Sequence, residues 1–200
     1  MVWPEKDDEL FIRGYEIRRS DSFDLQSDLL TKLFGYILDE NNEEALQMVR
    51  STIQKVLKGD VPASELVISR TCKGLDAYEN PDRQANIQAA KKLMAMGYEF
   101  IPGMKVSWIV TDSSRTPQVV EPYISGKEFT ARPDYKYYAE RISQTASRIT
   151  EVFGWTEKDL MSGLQQATLF DGGFDDGDDD RPDLPKPKPK AHNAKLSDFF

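Results

Sequence analysis

Residues 171–180 read Asp-Gly-Gly-Phe-Asp-Asp-Gly-Asp-Asp-Asp, and Pro182, Pro185, Pro187 and Pro189 follow with lysines between the last three. Six acids and three glycines in ten positions repel one another and leave almost nothing to bury. A stretch of this kind cannot offset its own ordering entropy, so it reads as a flexible, partly extended linker. From about Met161 onward the chain therefore builds no core. Whatever folds must fold within the first 160 of its 200 residues, the size of one domain. The aspartates lack the spacing and distal Glu of an EF-hand loop, so they read as a solvated linker rather than a metal site.

Composition narrows the chemistry. The one cysteine, Cys72, excludes an internal disulfide and a paired-cysteine zinc site. The one histidine, His192, lies in the polar tail, which leaves no Ser-His-Asp triad in the first 160 residues. No phosphate-cradling glycine motif is present. Cys72, although next to Lys73, reads as a buried thiol. No catalytic constellation and no metal site emerge. The longest apolar runs, such as Ile109-Val110, fall far short of the ~20 residues of a membrane span. The N-terminus is no signal peptide, so the expectation is a soluble, cytoplasmic protein. The net charge is −8, with 8 acids and 5 bases in residues 161–200. An acidic sum argues against a general nucleic-acid coat, but local basic faces decide DNA binding.

The folded part reads as α+β and mostly helical. Residues 9–17 mix β-branched and aromatic types and predict a strand, with Val2-Trp3 as hairpin partner. Asp21 and Ser22 are candidate N-caps. Leu25, Leu29, Leu33, Phe34, Ile37 and Leu38 make one helical stripe, and Leu46, Val49, Ile53, Val56 and Leu57 make a second, closed by Gly59. Leu66-Val67-Ile68 reads as a short strand. Asn80-Pro81 opens a helix lined by Ala85, Ala89, Leu93 and Met96. Val106, Trp108 and Val110 alternate with Lys105, Ser107 and Ile109 as a strand, and Asp112 to Pro117 form a polar loop. Pro133-Asp134 opens a helix with Tyr138, Ile142, Ala146, Ile149 and Phe153 inward, ending at Gly154. Thr156 and Asp159 resemble a capping box.

Two features suggest binding. Arg13, Arg18 and Arg19 surround Gly14, and forked guanidinium donors near a strand end can grip phosphates. The same arginines also fit a solvated edge strand blunted by charge; spacing leaves both readings open. At the other end, Leu196 lies three and four residues from Phe199 and Phe200, so one helical turn places them together as an apolar plug on a long tether.

The order of several segments resembles archaeal family B DNA polymerases, over roughly residues 2–160. The most specific is Arg13-Gly-Tyr-Glu-Ile-Arg-Arg-Ser-Asp21, similar to the family's stretch where palm passes into thumb. Glu65-Leu-Val-Ile68, Leu75-Asp-Ala-Tyr78, Ala89-Ala-Lys-Lys-Leu93, Pro102 through Val110, Asp134-Tyr-Lys-Tyr-Tyr138 and Val152-Phe-Gly154 follow in order. The tail resembles the sliding-clamp-interacting motif: Leu196, Phe199 and Phe200 match it, and Asn193 stands where that motif usually has Gln. Gln166 to Phe170 is a poorer second match.

The resemblance implies residues 1–20 as the end of the palm, 21–162 as thumb, 163–192 as linker and 193–200 as clamp motif. It implies backbone contacts to primer-template DNA from Arg13, Arg18 and Arg19, with Lys73 a further thumb contact, and clamp contacts from Asn193, Leu196, Phe199 and Phe200. The family's metal-binding palm aspartates and exonuclease carboxylates would lie upstream of Met1, so Mg2+ is expected in that missing palm and no cofactor in this chain. The expected partners are DNA, a catalytic polymerase fragment and the clamp, in DNA replication. The chain is expected to be inactive alone, as a split-polymerase small subunit. A non-catalytic DNA- and clamp-binding adaptor, or an inert gene fragment, remains the alternative.

Overall fold

The structure, a computed structural model, describes residues 2–4, 10–12, 21–75 and 77–161. It is α+β. Strands β1 (Val2–Pro4) and β2 (Leu10–Ile12) pair antiparallel, with Trp3 opposite Phe11, as the expected hairpin. Helices α1 (Asp24–Leu38) and α2 (Asn42–Lys58) follow, then β3 (Ile68–Thr71), α3 (Ala85–Ala95), β4 (Lys105–Asp112), β5 (Val119–Pro122) and α4 (Tyr135–Thr150). Strands β3, β4 and β5 form an antiparallel sheet in that order. Among the described residues no helix is long and apolar enough to cross a membrane.

The helices form a trio in which α2 packs against both α1 and α4. Leu29, Leu30 and Leu33 of α1, Val49, Ile53 and Val56 of α2, and Ile142, Ala146 and Ile149 of α4 are buried there. Each such Leu, Val or Ile side chain contributes roughly 1.5–3 kcal/mol by leaving water. The expected stripe of α1 is rotated: Leu30 and Gln26 are buried, whereas Leu38 is exposed. Gln26 is admitted because its Nε2 donates to Thr145 Oγ1 of α4 at 2.7 Å, supplying a partner for a buried amide. Helix α2 ends as expected at Gly59, whose φ of 78° is left-handed. A Cβ there would also stand 3.0 Å from Cε2 of Tyr135.

Four local expectations need correction. The N-cap of α1 is Phe23, without a side-chain cap; Asp21 is turned instead toward Arg141 of α4, 2.6 Å from its Nη2. Pro81 starts only a 3-10 turn, Pro81–Arg83, because Gln84 is extended (ψ 122°) and α3 begins after it. Met96 does not line the buried face of α3, which is made by Asn86, Ile87, Ala89 and Ala90. Phe153 is likewise not in the core: it is 39% exposed, beyond the end of α4. The sequence also left β5 within unassigned chain, although its Val119-Val120 pair is strand-forming.

The sheet is fastened to the trio at one seam. Strand β4 extends past β3, and there α4 takes over as its neighbour. Val110 N donates to the Tyr138 hydroxyl at 2.8 Å, and Asp134 N donates to Val110 O at 2.9 Å. Burial pushes the Tyr138 hydroxyl pKa upward, so it stays neutral and accepts this bond. Ile109, expected to face outward, is buried like its neighbours Trp108 and Val110. The Thr156–Asp159 box is present: Thr156 N and Oγ1 donate to Asp159 Oδ2 at 2.8 and 2.7 Å.

Candidate nucleic-acid interface

Lys73 lies just beyond β3, where the chain is still tied to its neighbour. Cys72 N donates to Met104 O at 2.9 Å and Gly103 N donates to Cys72 O at 2.7 Å. The Cys72 side chain is buried, as expected of an inert thiol, and anchors this segment from within. Lys73 itself is exposed. The ladder brings further cations beside it. Arg70 pairs in register with Val106, and Thr71 with Lys105. On the face shared by Thr71 and Lys105, the hydroxyls of Ser69 and Ser107 meet at 2.7 Å. The open end of the β3–β4 ladder thus presents Lys73 and Lys105, both exposed, while Arg70, also exposed, sits on the opposite face of β3 in register with Val106. No carboxylate partner for any of the three occurs among the described residues.

Lys32, Lys55, Lys58, Arg83, Arg132 and Lys158 likewise show no carboxylate partner among the described residues, whereas several other cations are committed. Lys91 is paired with Asp82 at 2.6 Å, Lys92 with Glu121 at 2.5 Å, Arg115 with Asp112 at 2.9 Å and Arg141 with Asp21 at 2.6 Å. Arg50 donates to the Asp159 carbonyl from Nε and Nη2 at 3.1 and 2.8 Å, so it fastens the helical turn at 157–161 to α2. Cations already neutralised or committed to structure have little left for a phosphate. Arg70, Lys73 and Lys105 keep their full charge for an outside anion.

A groove of about 680 Å³ opens beside the start of α4, walled by Ser113, Ser114, Arg132, Tyr135 and Lys136. Its floor is anionic. The side-chain hydrogen bond from Ser114 holds Asp112 below its usual pKa. At Asp134 partial burial pulls upward, but hydrogen bonds from Ser113 and from Tyr137 N outweigh it and the pKa is lowered. Ser113 N and Oγ donate to Asp134 Oδ2 at 2.8 and 2.6 Å, and Tyr137 N to Oδ1 at 3.1 Å. These carboxylates work as an N-cap and loop fastener and remain charged at neutral pH. The groove offers a phosphate far less net attraction than the ladder end does.

Of the sequence-predicted site residues, the structure places Lys73, just past the ladder pair that holds Lys105 opposite Thr71. Arg13, Arg18, Arg19, Asn193, Leu196, Phe199 and Phe200 lie outside the described residues. Asp21, at the end of the arginine stretch, is described, and its ion pair fixes the exit of that stretch against α4. Arg70 and Lys105 went unnoticed in the sequence because 34 intervening residues separate them; only the strand register unites them. Among the described residues no group of three or more His, Cys, Asp or Glu is placed to hold a metal ion.

The profile of DNA polymerase family B matches residues 1–153. The chain belongs to DNA polymerase family B. It is 32% identical over 170 residues to DNA polymerase 2 of Aeropyrum pernix, covering 82% of this chain and 20% of that protein. Against the DNA polymerase of Archaeoglobus fulgidus it is 27% identical over 180 residues, covering 81% of this chain and 23% of the relative. It thus spans about a fifth of the length of these curated relatives. Among solved structures, the family B DNA polymerase of the hyperthermophilic archaeon Pyrobaculum calidifontis superposes with a TM-score of 0.60 at 22% identity, over 76% of this chain and 20% of that one. At that identity the match speaks for the fold.

Proposed function

We propose that this chain is the thumb part of a family B DNA polymerase, gripping primer-template duplex and tethered to the sliding clamp by its tail. Residues 1–20 would lead out of the palm, 21–162 form the thumb, 163–192 the linker and 193–200 the clamp motif. The observation that carries the grip is the pair of exposed lysines, Lys73 and Lys105, at the end of the β3–β4 ladder, with Arg70 on the other face of β3, all without carboxylate partners among the described residues of a chain whose net charge is −8. Such cations bind backbone phosphate of any sequence, which is what a grip behind a moving active site needs. Arg13, Arg18 and Arg19 would extend it from the palm side, with the Asp21–Arg141 pair holding their exit.

Nucleotidyl transfer itself belongs to a separate exonuclease, palm and fingers part that carries the metal-binding carboxylates and their Mg2+. This chain's role there is positional: it holds the duplex so that the primer end stays aligned. The cytoplasm is the compartment this reading assigns. Primer extension tests it with the chain alone, the catalytic part alone, and the two mixed. Synthesis boosted at least tenfold by mixing is the expected result. No gain on mixing overturns the split-enzyme reading.

A further inference from the structure

The last turn of α3 and the loop after it expose an apolar surface that adjoins the ladder end at Lys105. Met96 is 59% and Ile101 60% exposed, with Met94 and Tyr98 beside them. Gly97, at φ 88°, turns the chain between Met96 and Tyr98. Behind them lie two adjoining hollows, of about 310 and 260 Å³, that share Tyr98, Tyr123 and Ile124 as a common wall. Met96 and Phe129 complete the first, and Phe100 and Met104 the second. Each exceeds a phenyl ring in volume. Lys127 stands at the rim of the first, over the Tyr98 ring with its Nζ 5.1 Å from the centroid, and donates to the Tyr98 hydroxyl. An ammonium has three donors, so it keeps capacity for a carboxylate; of the two glutamates that also line this hollow, Glu121 is paired with Lys92, and Glu128 is the remaining acid an incoming anion meets.

We infer that this double hollow is a docking site for the chain's own segment 193–200. Paired rings meet paired hollows: Phe199 and Phe200 are adjacent, as the hollows are. Asp198 directly precedes them and supplies the anion for Lys127. Met94 and Met96 add a surface that adapts to the shape of an inserted ring. The tether reaches. A linker of about 30 residues has a root-mean-square span of about 30 Å, against a radius of gyration of about 15 Å for a 160-residue domain. Effective concentrations near 1 mM follow from such a tether. A contact with an intrinsic Kd of about 0.1 mM is then mostly closed, and an outside partner of the same segment binds about tenfold more weakly. The tail is thereby masked until a better-fitting pocket competes for it. The inference uses the residues assigned above to clamp binding, but needs no clamp for its test.

The full chain is prepared with 13C-labelled methionine methyls and a nitroxide on Ala194→Cys; buried Cys72 does not take the label. Met94 and Met96 methyl signals are expected to lose more than half their intensity while Met48, in the helix trio, keeps its own. Adding Phe199→Ala and Phe200→Ala should restore them. Unbroadened Met94 and Met96 signals overturn the inference, as does broadening that survives removal of both phenylalanines. Broadening that appears equally on an unlabelled partner chain in a mixture assigns the site to a second copy and overturns it too. Clamp binding, measured separately by calorimetry, stands or falls on its own.

Discussion

Replacing Lys73 and Lys105 by alanine should change how salt weakens duplex binding, not merely how tight binding is. Both ammonium groups are exposed and without a described partner, so each can displace about one condensed counterion from DNA. Each phosphate contact contributes about 0.9 to the slope of log K against log salt, so the double variant should lose about 1.8. Between 50 and 200 mM salt, a fourfold change, the parent should therefore lose about twelvefold more affinity than the variant. Lys91→Ala supplies the control. It removes the same charge, but Lys91 is held by Asp82 at 2.6 Å, so its slope should barely move. Fluorescence anisotropy with a primer-template duplex at four salt concentrations reads all of this, and Arg19→Ala in the same assay should lower the slope by about 0.9 with the fold intact. Equal slope changes for Lys73→Ala and Lys91→Ala would refute the reasoning, because unpaired and paired lysines would then be equivalent. Absence of duplex binding at any salt would refute it more broadly.

Three further outcomes are expected. Phe199→Ala with Phe200→Ala should abolish clamp binding in calorimetry while the globular part still unfolds cooperatively in urea; equal clamp affinity removes the tail from that role. Tyr138→Phe strands the buried Val110 N–H and should cost about 1–3 kcal/mol, read as a lower urea midpoint at constant m. The Asp134 carboxyl has a lowered pKa in the fold, so its contribution is present above the unfolded value near 4 and lost as pH falls through the folded one. Asp134→Asn should accordingly lower stability at pH 7 and flatten its decline toward pH 3, and an unaltered acid limb would show that Ser113 and Tyr137 do not depend on that charge.

What was legible in the sequence was whatever local chemistry decides. Gly59 closes α2, Asp134 caps α4 and Thr156 boxes with Asp159 because each acts within four residues of chain. The α+β class followed from clear periodicities. What failed was decided at longer range. Ser22 lost the cap of α1, and Asp21 was drawn to Arg141, 120 residues away, which no local pattern records. Leu30 is buried and Leu38 exposed because α1 lies against α2 and α4 at once, so its buried arc is set by two partners rather than by its own stripe. At the candidate interface, Lys73 was visible from the family-like context. Arg70 and Lys105 became relevant only through the register that sets Thr71 opposite Lys105.

The placement of those cations depends on parts of the molecule that never meet an anion. The ladder end is held by the Cys72 backbone bonds to Met104 and Gly103 and by the buried thiol beneath. The far end of β4 is held by Tyr138 and Asp134, at the start of the helix that also receives Asp21. The sheet and Asp21 are thus both fastened to one element, α4, through Tyr138 and Arg141 one turn apart. A phosphate grip assembled from Arg19 and Lys73 would therefore keep a fixed spacing only while both fastenings hold. Arg141→Met tests that dependence: it frees Asp21 without touching the ladder cations, so duplex affinity should fall while the slope contributed by Lys73 and Lys105 persists. Were affinity unchanged, the arginine stretch and the ladder end would be acting as separate sites.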